Sequence, residues 1–304
     1  MHKKYILTSL LFTTLMVYSC KTHYPLADKR FTLIQAGTSL ERGKNLTYNV
    51  CGQCHYNREL GKFVGERMKD LPKFLGKVYS ANITTSTTNG VTHLYSDAQL
   101  AYVIKTGITR DGKFIPYMIH PTMAEDDVND IIVFLRSADE AVSPGNITVG
   151  NTKSSLLGRL AMHFSGKPQP YIEGIKKPGK DDAIADGRYL VDIMGCFHCH
   201  SKSITSLNYT KAEASKGYMQ GGMKFKTPEG LKIYASNLTP DKQAGIGKYT
   251  KSGFYTALTE GKTPDGRVLH YPMRLFKHLT EQQSADIYAY IQTLPPSNHK
   301  VRGK

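Results

Sequence analysis

The chain has 304 residues, of which 40% are hydrophobic and 21% are charged. This balance is typical of globular proteins, excludes collagen-like and disordered chains, and leaves room for two ordinary domains. The formal net charge of +15 is unevenly distributed: residues 41–142 carry 12 Lys or Arg against 12 Asp or Glu, whereas residues 143–304 carry 23 against 12. We therefore expect a basic surface on the second half, which suits an acidic protein partner, an anionic membrane or nucleic acid.

The N-terminus has the pattern of an export signal. A basic start (HKK) precedes the apolar run YILTSLLFTTLMVY, whose 14 residues are too few to span a bilayer and typical of a signal-peptide core. Ser19 directly precedes Cys20, which resembles the bacterial lipoprotein signal, where the cysteine becomes the lipidated first residue. We predict a signal peptide over 1–19, lipidation at Cys20 and a tether over 20–38, with a secreted, unlipidated chain as the alternative.

Four of the five cysteines fall in two C-x-x-C-H motifs. The motif residues are Cys51, Cys54 and His55 in the first half, and Cys196, Cys199 and His200 in the second. C-x-x-C-H is the attachment signature of c-type haem, because two thiols bond the vinyl groups and the adjacent imidazole then ligates the iron. The alternatives are a Cys₄ zinc site, a thioredoxin-like dithiol and disulfides, but these leave both histidines unexplained. The sequence therefore predicts two covalently bound haem c groups.

The two halves repeat each other beyond the motifs. RGKNLTYNVCGQCH matches DGRYLVDIMGCFHCH with one residue inserted, and SANITTSTTNGV matches ASNLTPDKQAGIG. Met118 and Met273 occupy corresponding points just beyond Asp-Gly turns. Because histidine and methionine together are the iron ligands of electron-transfer cytochromes c, we expect Met118 and Met273 to be the second ligand of each haem.

Other side chains near these points are alternative ligands. They are Met123 and Met223 among the methionines, and His120 and His270 among the histidines. His198 lies inside its motif, where the geometry of the chain turns it away from the iron, and we expect it to be exposed.

Hydrophobic spacing predicts helices in ADGRYLVDIMG, EDDVNDIIVFLRS and LTEQQSADIYAYIQTL, the last with Thr280 as N-cap. Helix, haem motif, methionine loop and closing helix is the cytochrome c arrangement. The predicted fold is mainly α, with tandem cytochrome c-type domains over 39–142 and 181–297, each wrapping one haem. The Gly-, Pro- and Lys-rich stretch 143–180 is predicted to be a linker containing a short helix in SSLLGRLAMHF, and 298–304 is a basic tail.

With these residues, the chain resembles the di-haem and multi-haem cytochrome c family that includes cytochrome subunits of bacterial membrane-bound alcohol dehydrogenases. The resemblance covers roughly 39–296 and rests on the two haem motifs, on SANIT and ASNLTPD, and on G-x-T-x-D-G followed by methionine. It implies two covalent haems, a periplasmic-side location and electron transfer. By position it assigns Cys51, Cys54, His55 and Met118 to one haem, and Cys196, Cys199, His200 and Met273 to the other.

Two filled axial positions predict electron transfer rather than substrate chemistry at the iron. We expect electrons to pass from a respiratory donor, a dehydrogenase or quinol-oxidising complex, to an oxidase or a soluble carrier. A di-haem redox enzyme such as a peroxidase is the alternative, and it requires one haem with an open site. Redox proteins, acidic ones among them, are expected to dock on the basic second half, and nucleic acid is not expected as a partner of an exported haem protein.

Overall fold

The computed structural model describes residues 23–26, 39–69, 71–145, 147, 149–165, 167–179, 181–227 and 229–302, with side chains left undescribed over 162–165. The predicted signal peptide, Cys20 and most of the predicted tether lie outside the described residues. Within the part of the chain that is described, no helix is both long and apolar enough to cross a membrane.

Helices dominate the described residues, which confirms the predicted mainly α fold. The first half contains α1 (Ser39–Leu46), α2 (Gly52–His55), α3 (Asp97–Thr106) and α4 (Glu125–Leu135). Helix α5 (Leu156–Ser165) lies in the connecting segment. The second half contains α6 (Ala183–Ile193), α7 (Cys196–His200), α8 (Lys251–Glu260) and α9 (Glu281–Thr293). The helices predicted from hydrophobic spacing are α4, α6 and α9, and Thr280 is the N-cap of α9, with a capping box that includes Gln283.

In each half, the first long helix crosses the last helix at a glycine. Helix α1 packs on α4, and α6 packs on α9. A Cβ atom at Gly43 would lie 1.9 Å from the carbonyl oxygen of Asp130, and one at Gly187 would lie 1.9 Å from that of Asp286. Only glycine lets the two backbones approach this closely, so the crossing geometry is the same in both halves.

Two short antiparallel ribbons complete the fold. Strand β1 (Gly76–Lys77) pairs with β2 (Lys153–Ser154), and β3 (Lys224–Lys226) pairs with β4 (Lys232–Tyr234). Helix α5 packs on residues 73–75. The approach is close at Gly158, where an added Cβ atom would lie 2.8 Å from the backbone of Leu75. The predicted short helix is therefore present, and the connecting segment packs on the first half.

Buried contacts also join the two halves directly. The Tyr189 hydroxyl of α6 donates a hydrogen bond to Asp127 Oδ2 of α4 at 2.7 Å and accepts one from the Ala124 amide at 3.0 Å. Arg42 of α1 completes the group with an ion pair to Asp127 at 2.7 Å. One hydrophobic cluster contains buried residues of both halves. The division into two domains at 143–180 stays a prediction.

Candidate haem sites

The first C-x-x-C-H motif is held at the end of a continuous helical segment. Helix α1 runs through a π-helical turn, Thr47–Cys51, into α2, so Cys51 and Cys54 lie three residues apart on one helix face. The buried His55 ring places Nδ1 2.8 Å from the backbone carbonyl oxygen of Ala81. Because a carbonyl only accepts, Nδ1–H donates, and this leaves Nε2 as the ring nitrogen that can bind a metal.

The second motif repeats this arrangement by a different local route. Helix α6 ends at Ile193, Gly195 takes a left-handed conformation with φ +69°, and α7 starts at Cys196. The break between the two helices at Gly195 accommodates the one residue that the second half has in addition. The buried His200 ring places Nδ1 2.7 Å from the carbonyl oxygen of Ser236, so both histidines are oriented by a backbone acceptor.

A glycine brings each carbonyl segment to its histidine. The Gly65 amide donates to the His55 carbonyl at 2.8 Å, and the Gly221 amide donates to the His200 carbonyl at 2.7 Å. Both glycines have positive φ, and a Cβ there would lie 2.4 Å from the carbonyl oxygen of Ser80 or of Ser236. The close approach and the backbone conformation both require glycine.

An asparagine fixes the same segment from the other side. Asn82 Oδ1 accepts from the Thr84 amide at 2.9 Å and its hydroxyl at 2.7 Å, and Asn237 Oδ1 accepts from Thr239 at the same distances. In the repeated SANIT and ASNLT stretches, the asparagine side chain therefore closes a turn, and the carbonyl of the residue before the asparagine faces the histidine. This role of the asparagines was not predicted, although the Asn-x-Thr pattern occurs in both halves of the sequence.

Met118 and Met273 occupy equivalent turns. The Met118 amide donates to the Ile115 carbonyl at 3.1 Å, and the Met273 amide donates to the His270 carbonyl at 3.0 Å. Both turns follow a glycine that ends a helix, Gly107 after α3 and Gly261 after α8. Both methionine side chains are partly buried. The correspondence noted in the sequence is thus matched by the backbone.

The alternative methionines have other surroundings. Met123 is fully buried, and its amide donates to the His120 carbonyl. The Leu279 amide of the second half donates to the Phe276 carbonyl in the same way. Met123 therefore occupies the position of an apolar core residue. The Met223 carbonyl accepts from the Ala235 amide at 2.9 Å, so Met223 lies in the segment that holds His200 and not in the turn that carries Met273.

The alternative histidines are also placed elsewhere. His270 is exposed, whereas the His120 ring is partly buried beside the backbone of Ile193 in the other half of the chain. Burial lowers the pKa of His120 to about 4. The arrangement favours Met118 and Met273 over these residues.

The expected exposure of His198 is wrong. Its ring is partly buried, in contact with Phe197, and lies 5.1 Å from the ring of Tyr209. Burial, and secondarily the nearby His120, lower the pKa of His198 to about 3. The rings of Phe197 and Tyr209 cover this side chain, so it is not exposed.

The burial of the cysteines argues against a reactive redox dithiol. Burial raises the pKa of both Cys51 and Cys196 to about 12, whereas a reactive dithiol needs a lowered thiol pKa. Among the described residues, no three His, Cys, Asp or Glu side chains come together to hold a bare metal ion.

Two buried polar atoms beside the histidines fit a haem. Asn82 Nδ2, next to the carbonyl that orients His55, and Ser201 Oγ, next to His200, are buried without a hydrogen-bond partner in the described structure. A haem carries two carboxylates that accept hydrogen bonds. The thiol pair, the oriented imidazole and an unused polar atom in each half together suit covalent haem c.

The comparisons with known proteins agree with this chemistry. No protein-family model matches the chain. It is 25% identical over 287 residues to the cytochrome c subunit of a quinone-dependent alcohol dehydrogenase from Gluconacetobacter polyoxogenes, a match that covers 88% of this chain and 57% of the relative. It is also 25% identical over 283 residues to a gluconate 2-dehydrogenase cytochrome c subunit from Pantoea cypripedii, covering 86% and 59%.

A shorter relative carries the number of haems in its name. The chain is 31% identical over 106 residues to a protein from Cereibacter sphaeroides named as a diheme cytochrome c-type, a match that covers 34% of this chain and 33% of the relative. The chain spans just over half the length of the dehydrogenase subunits it matches. The resemblance to cytochrome c subunits of dehydrogenases is confirmed.

Proposed function

We propose that this chain is a di-haem c-type cytochrome that transfers electrons between a respiratory donor and a downstream acceptor. The observation that carries the proposal is the duplicated site, in which each C-x-x-C-H histidine donates Nδ1–H to a backbone carbonyl, Ala81 in one half and Ser236 in the other. Two independently built sites with the same orientation of the imidazole support two haems.

The chain's own residues hold the cofactors. Each cysteine pair would hold one haem through two thioether bonds, and His55 and His200 would bind its iron through Nε2. Met118 and Met273 would supply the second protein ligand, and the haem would supply one-electron redox chemistry. With these ligands in place, the chain's own side chains would keep water and substrate from the iron. The protein thus orients and buries the cofactors and keeps them as one-electron carriers.

Mass analysis of the denatured, purified protein tests this proposal directly. The expected result is a gain of two haem equivalents that survives denaturation, because thioether bonds are covalent. A protein carrying zinc, one haem or no haem would contradict it. Turnover of hydrogen peroxide, together with a high-spin ferric component at neutral pH, would instead identify a di-haem enzyme.

The proposed location is the periplasmic side of the membrane, with the chain exported and anchored through a lipid on Cys20. The export pattern at residues 1–19 supports this, and so do the relatives, which are named as cytochrome subunits of dehydrogenases. A dehydrogenase or quinol-oxidising complex is the proposed donor, and an oxidase or soluble carrier is the proposed acceptor.

A single substitution separates an anchored from a secreted chain. Cys20→Ser is expected to move the cytochrome from the membrane fraction to the soluble periplasmic fraction while it keeps both haems. Unchanged membrane association of this variant would contradict lipid anchoring at Cys20.

Docking of a redox partner is proposed on the basic second half. The β3–β4 ribbon exposes Lys224, Lys226 and Lys232, and Lys226 lies directly opposite Lys232. Leu231 beside them is 66% exposed. Like charges in a cross-strand pair are unfavourable in isolation, so an acidic partner would relieve their repulsion.

Electron exchange with small redox reagents tests this docking surface. Reduction by an anionic iron cyanide complex is expected to slow as salt rises, and to slow severalfold in Lys226→Glu/Lys232→Glu, because screening and charge reversal weaken the attraction. A neutral reagent is the control and should show neither effect. Equal behaviour towards the two reagents would contradict steering by this ribbon.

A further inference from the structure

Each methionine loop crosses to the haem motif of the other half. The first loop does so through His120, whose ring lies beside the backbone of Ile193, just before the second motif. The second loop does so through Arg274, which directly follows Met273 and forms an ion pair with Glu66 of the first half. The side chains of Arg274 and Glu66 are only 13% and 26% exposed.

Glu66 is itself fixed to the first haem motif. Its amide donates to Ser80 Oγ at 2.8 Å, and the Ser80 hydroxyl donates to the Cys54 carbonyl at 2.6 Å. The neighbouring Gly65 amide donates to the carbonyl of His55 at 2.8 Å. The charge of Arg274 also lies close enough to the Cys54 sulfur to interact with it. An unbroken series of bonded groups therefore runs from the Met273 loop to Cys54.

Further contacts hold the same loop against the first half. Arg58 Nη2 donates to the Leu275 carbonyl at 3.0 Å, and Asn45 Nδ2 donates to the His278 carbonyl at 2.6 Å. The His278 ring stacks on Tyr48, with centroids 3.6 Å apart. The Arg274 guanidinium lies over the Tyr271 ring at 5.2 Å, which restricts it on the other side of Met273.

We propose that Arg274 is a positioning residue that couples the two haem sites, through its ion pair with Glu66. The inference rests on the proposed function, because it assigns the residue that links the two sites. The ion pair holds the Met273 loop in place for the second haem, and it sets the local charge beside the first haem. Removing either partner leaves the other as an uncompensated, largely buried charge.

The two charges predict opposite effects on the first haem. Arg274→Gln leaves the Glu66 carboxylate alone, which stabilises ferric iron and lowers the reduction potential of the first haem. Glu66→Gln leaves the guanidinium alone and raises that potential. We expect each substitution to change the one-electron equilibrium about tenfold, which corresponds to ~59 mV.

The second haem reports the positioning role. Arg274→Gln is expected to weaken the methionine–ferric charge-transfer absorption of the second haem, because the loop loses its fixed contact beside Met273. Arg274→Lys keeps the charge and is expected to retain the parent potential at the first haem. This variant and Glu66→Gln decide the question if Arg274→Gln does not fold.

The matched control is Arg136→Gln. Arg136 pairs with Asp97 at 3.1 Å within the first half, and its other hydrogen-bond partners are the Thr92 and Tyr95 carbonyls, so it contacts neither methionine loop. Each variant is titrated potentiometrically, its absorption spectrum is recorded and its haem content is measured by mass. The control is expected to keep both potentials and the charge-transfer absorption.

Shifts of the same sign in Arg274→Gln and Glu66→Gln, or shifts no larger than those of the control, would overturn the coupling. The measurement of haem content keeps this outcome separate from the proposed function. Two haems in every variant with unshifted potentials would refute the role of Arg274 alone, whereas fewer than two haems in the parent protein would refute the di-haem cytochrome.

Discussion

The two candidate haem sites share a framework but differ in how they are closed. In the second site, Asn237 Nδ2 donates to the carbonyls of Ser297 at 2.8 Å and His299 at 3.2 Å, so the C-terminal segment covers the turn. In the first site, Asn82 Nδ2 is buried and has no hydrogen-bond partner among the described residues. Conversely, Cys199 is exposed, whereas Cys54 is partly buried. The repeat preserves the contacts that orient histidine, while the outer contacts of each site have diverged.

The helices that lead into the motifs differ as well. The position of Tyr48 in the first half corresponds to Asp192 in the second, when the crossing glycines Gly43 and Gly187 are aligned. Tyr48 packs in an aromatic group, whereas Asp192 Oδ1 is buried without a hydrogen-bond partner in the described structure. Burial, and secondarily the neighbouring Glu213, raise the pKa of Asp192 to about 7. The second half therefore carries a pH sensitivity at a position where the first half has none.

The largest expected effect is the loss of one haem when the cysteine pair of one site is removed. Cys51→Ala/Cys54→Ala and Cys196→Ala/Cys199→Ala should each remove one covalent haem and leave the other, because each site orients its histidine with its own backbone carbonyl. Mass analysis and the absorbance per protein measure the loss. Loss of both haems from either variant would show that the sites do not form independently.

Asp192→Asn should remove a pH dependence of stability that is specific to the second half. Because the pKa of Asp192 is raised from about 4 to about 7, the folded state binds this proton more tightly than the unfolded chain does. Stability is therefore lost as pH rises through this window, by on the order of 3 kcal/mol.

Unfolding by denaturant at pH 5 and pH 8 measures the effect. Asp192→Asn should flatten the profile, whereas the control Tyr48→Phe should leave it unchanged. Identical pH profiles for the parent and Asp192→Asn would contradict a raised pKa at Asp192.

The helix crossings should respond alike in the two halves. Gly43→Ala and Gly187→Ala each place a Cβ 1.9 Å from a carbonyl oxygen, so the helices must separate, at a cost of about 2 kcal/mol in the free energy of unfolding. Gly52→Ala is the control, because its Cβ would meet its nearest atom at 3.5 Å. A cost for only one of the two crossing glycines would break the symmetry claimed for the framework.

The smallest expected effect concerns Asn237, which holds the C-terminal segment over its turn. Asn237→Asp loses two donated hydrogen bonds and places a carboxylate against two carbonyl oxygens, which should cost about 1–2 kcal/mol in the free energy of unfolding. Chemical unfolding of the variant and the parent measures the cost. A variant as stable as the parent would show that these two bonds do not stabilise the C-terminal segment.

The features that the sequence predicted are local ones. The two C-x-x-C-H motifs, α4, α6 and α9, and the Thr280 N-cap each depend on residues within a few positions of one another. The carbonyls that orient His55 and His200 come from 26 and 36 residues away, and they could not be inferred from spacing. They depend on glycine-permitted backbone approach.

The contacts between halves were the least predictable. The ion pair of Arg274 and Glu66 joins residues 208 positions apart, and neither side chain belongs to a recognisable motif. The partial burial of His198 depends on packing against Tyr209, which the spacing of the motif does not predict, and the expectation of an exposed side chain therefore failed. Such contacts are fixed by how the two halves pack, and a repeat in the sequence does not encode that packing locally.

The most direct test of the central claim is near-infrared magnetic circular dichroism of the fully oxidised protein, with its intensity calibrated per haem. Two histidine–methionine haems predict a methionine–ferric charge-transfer intensity that corresponds to two haems per chain. In Met118→Ala and in Met273→Ala, the intensity should fall to that of one haem per chain. Full intensity in either variant, or a parent protein with only one such haem, would contradict the account.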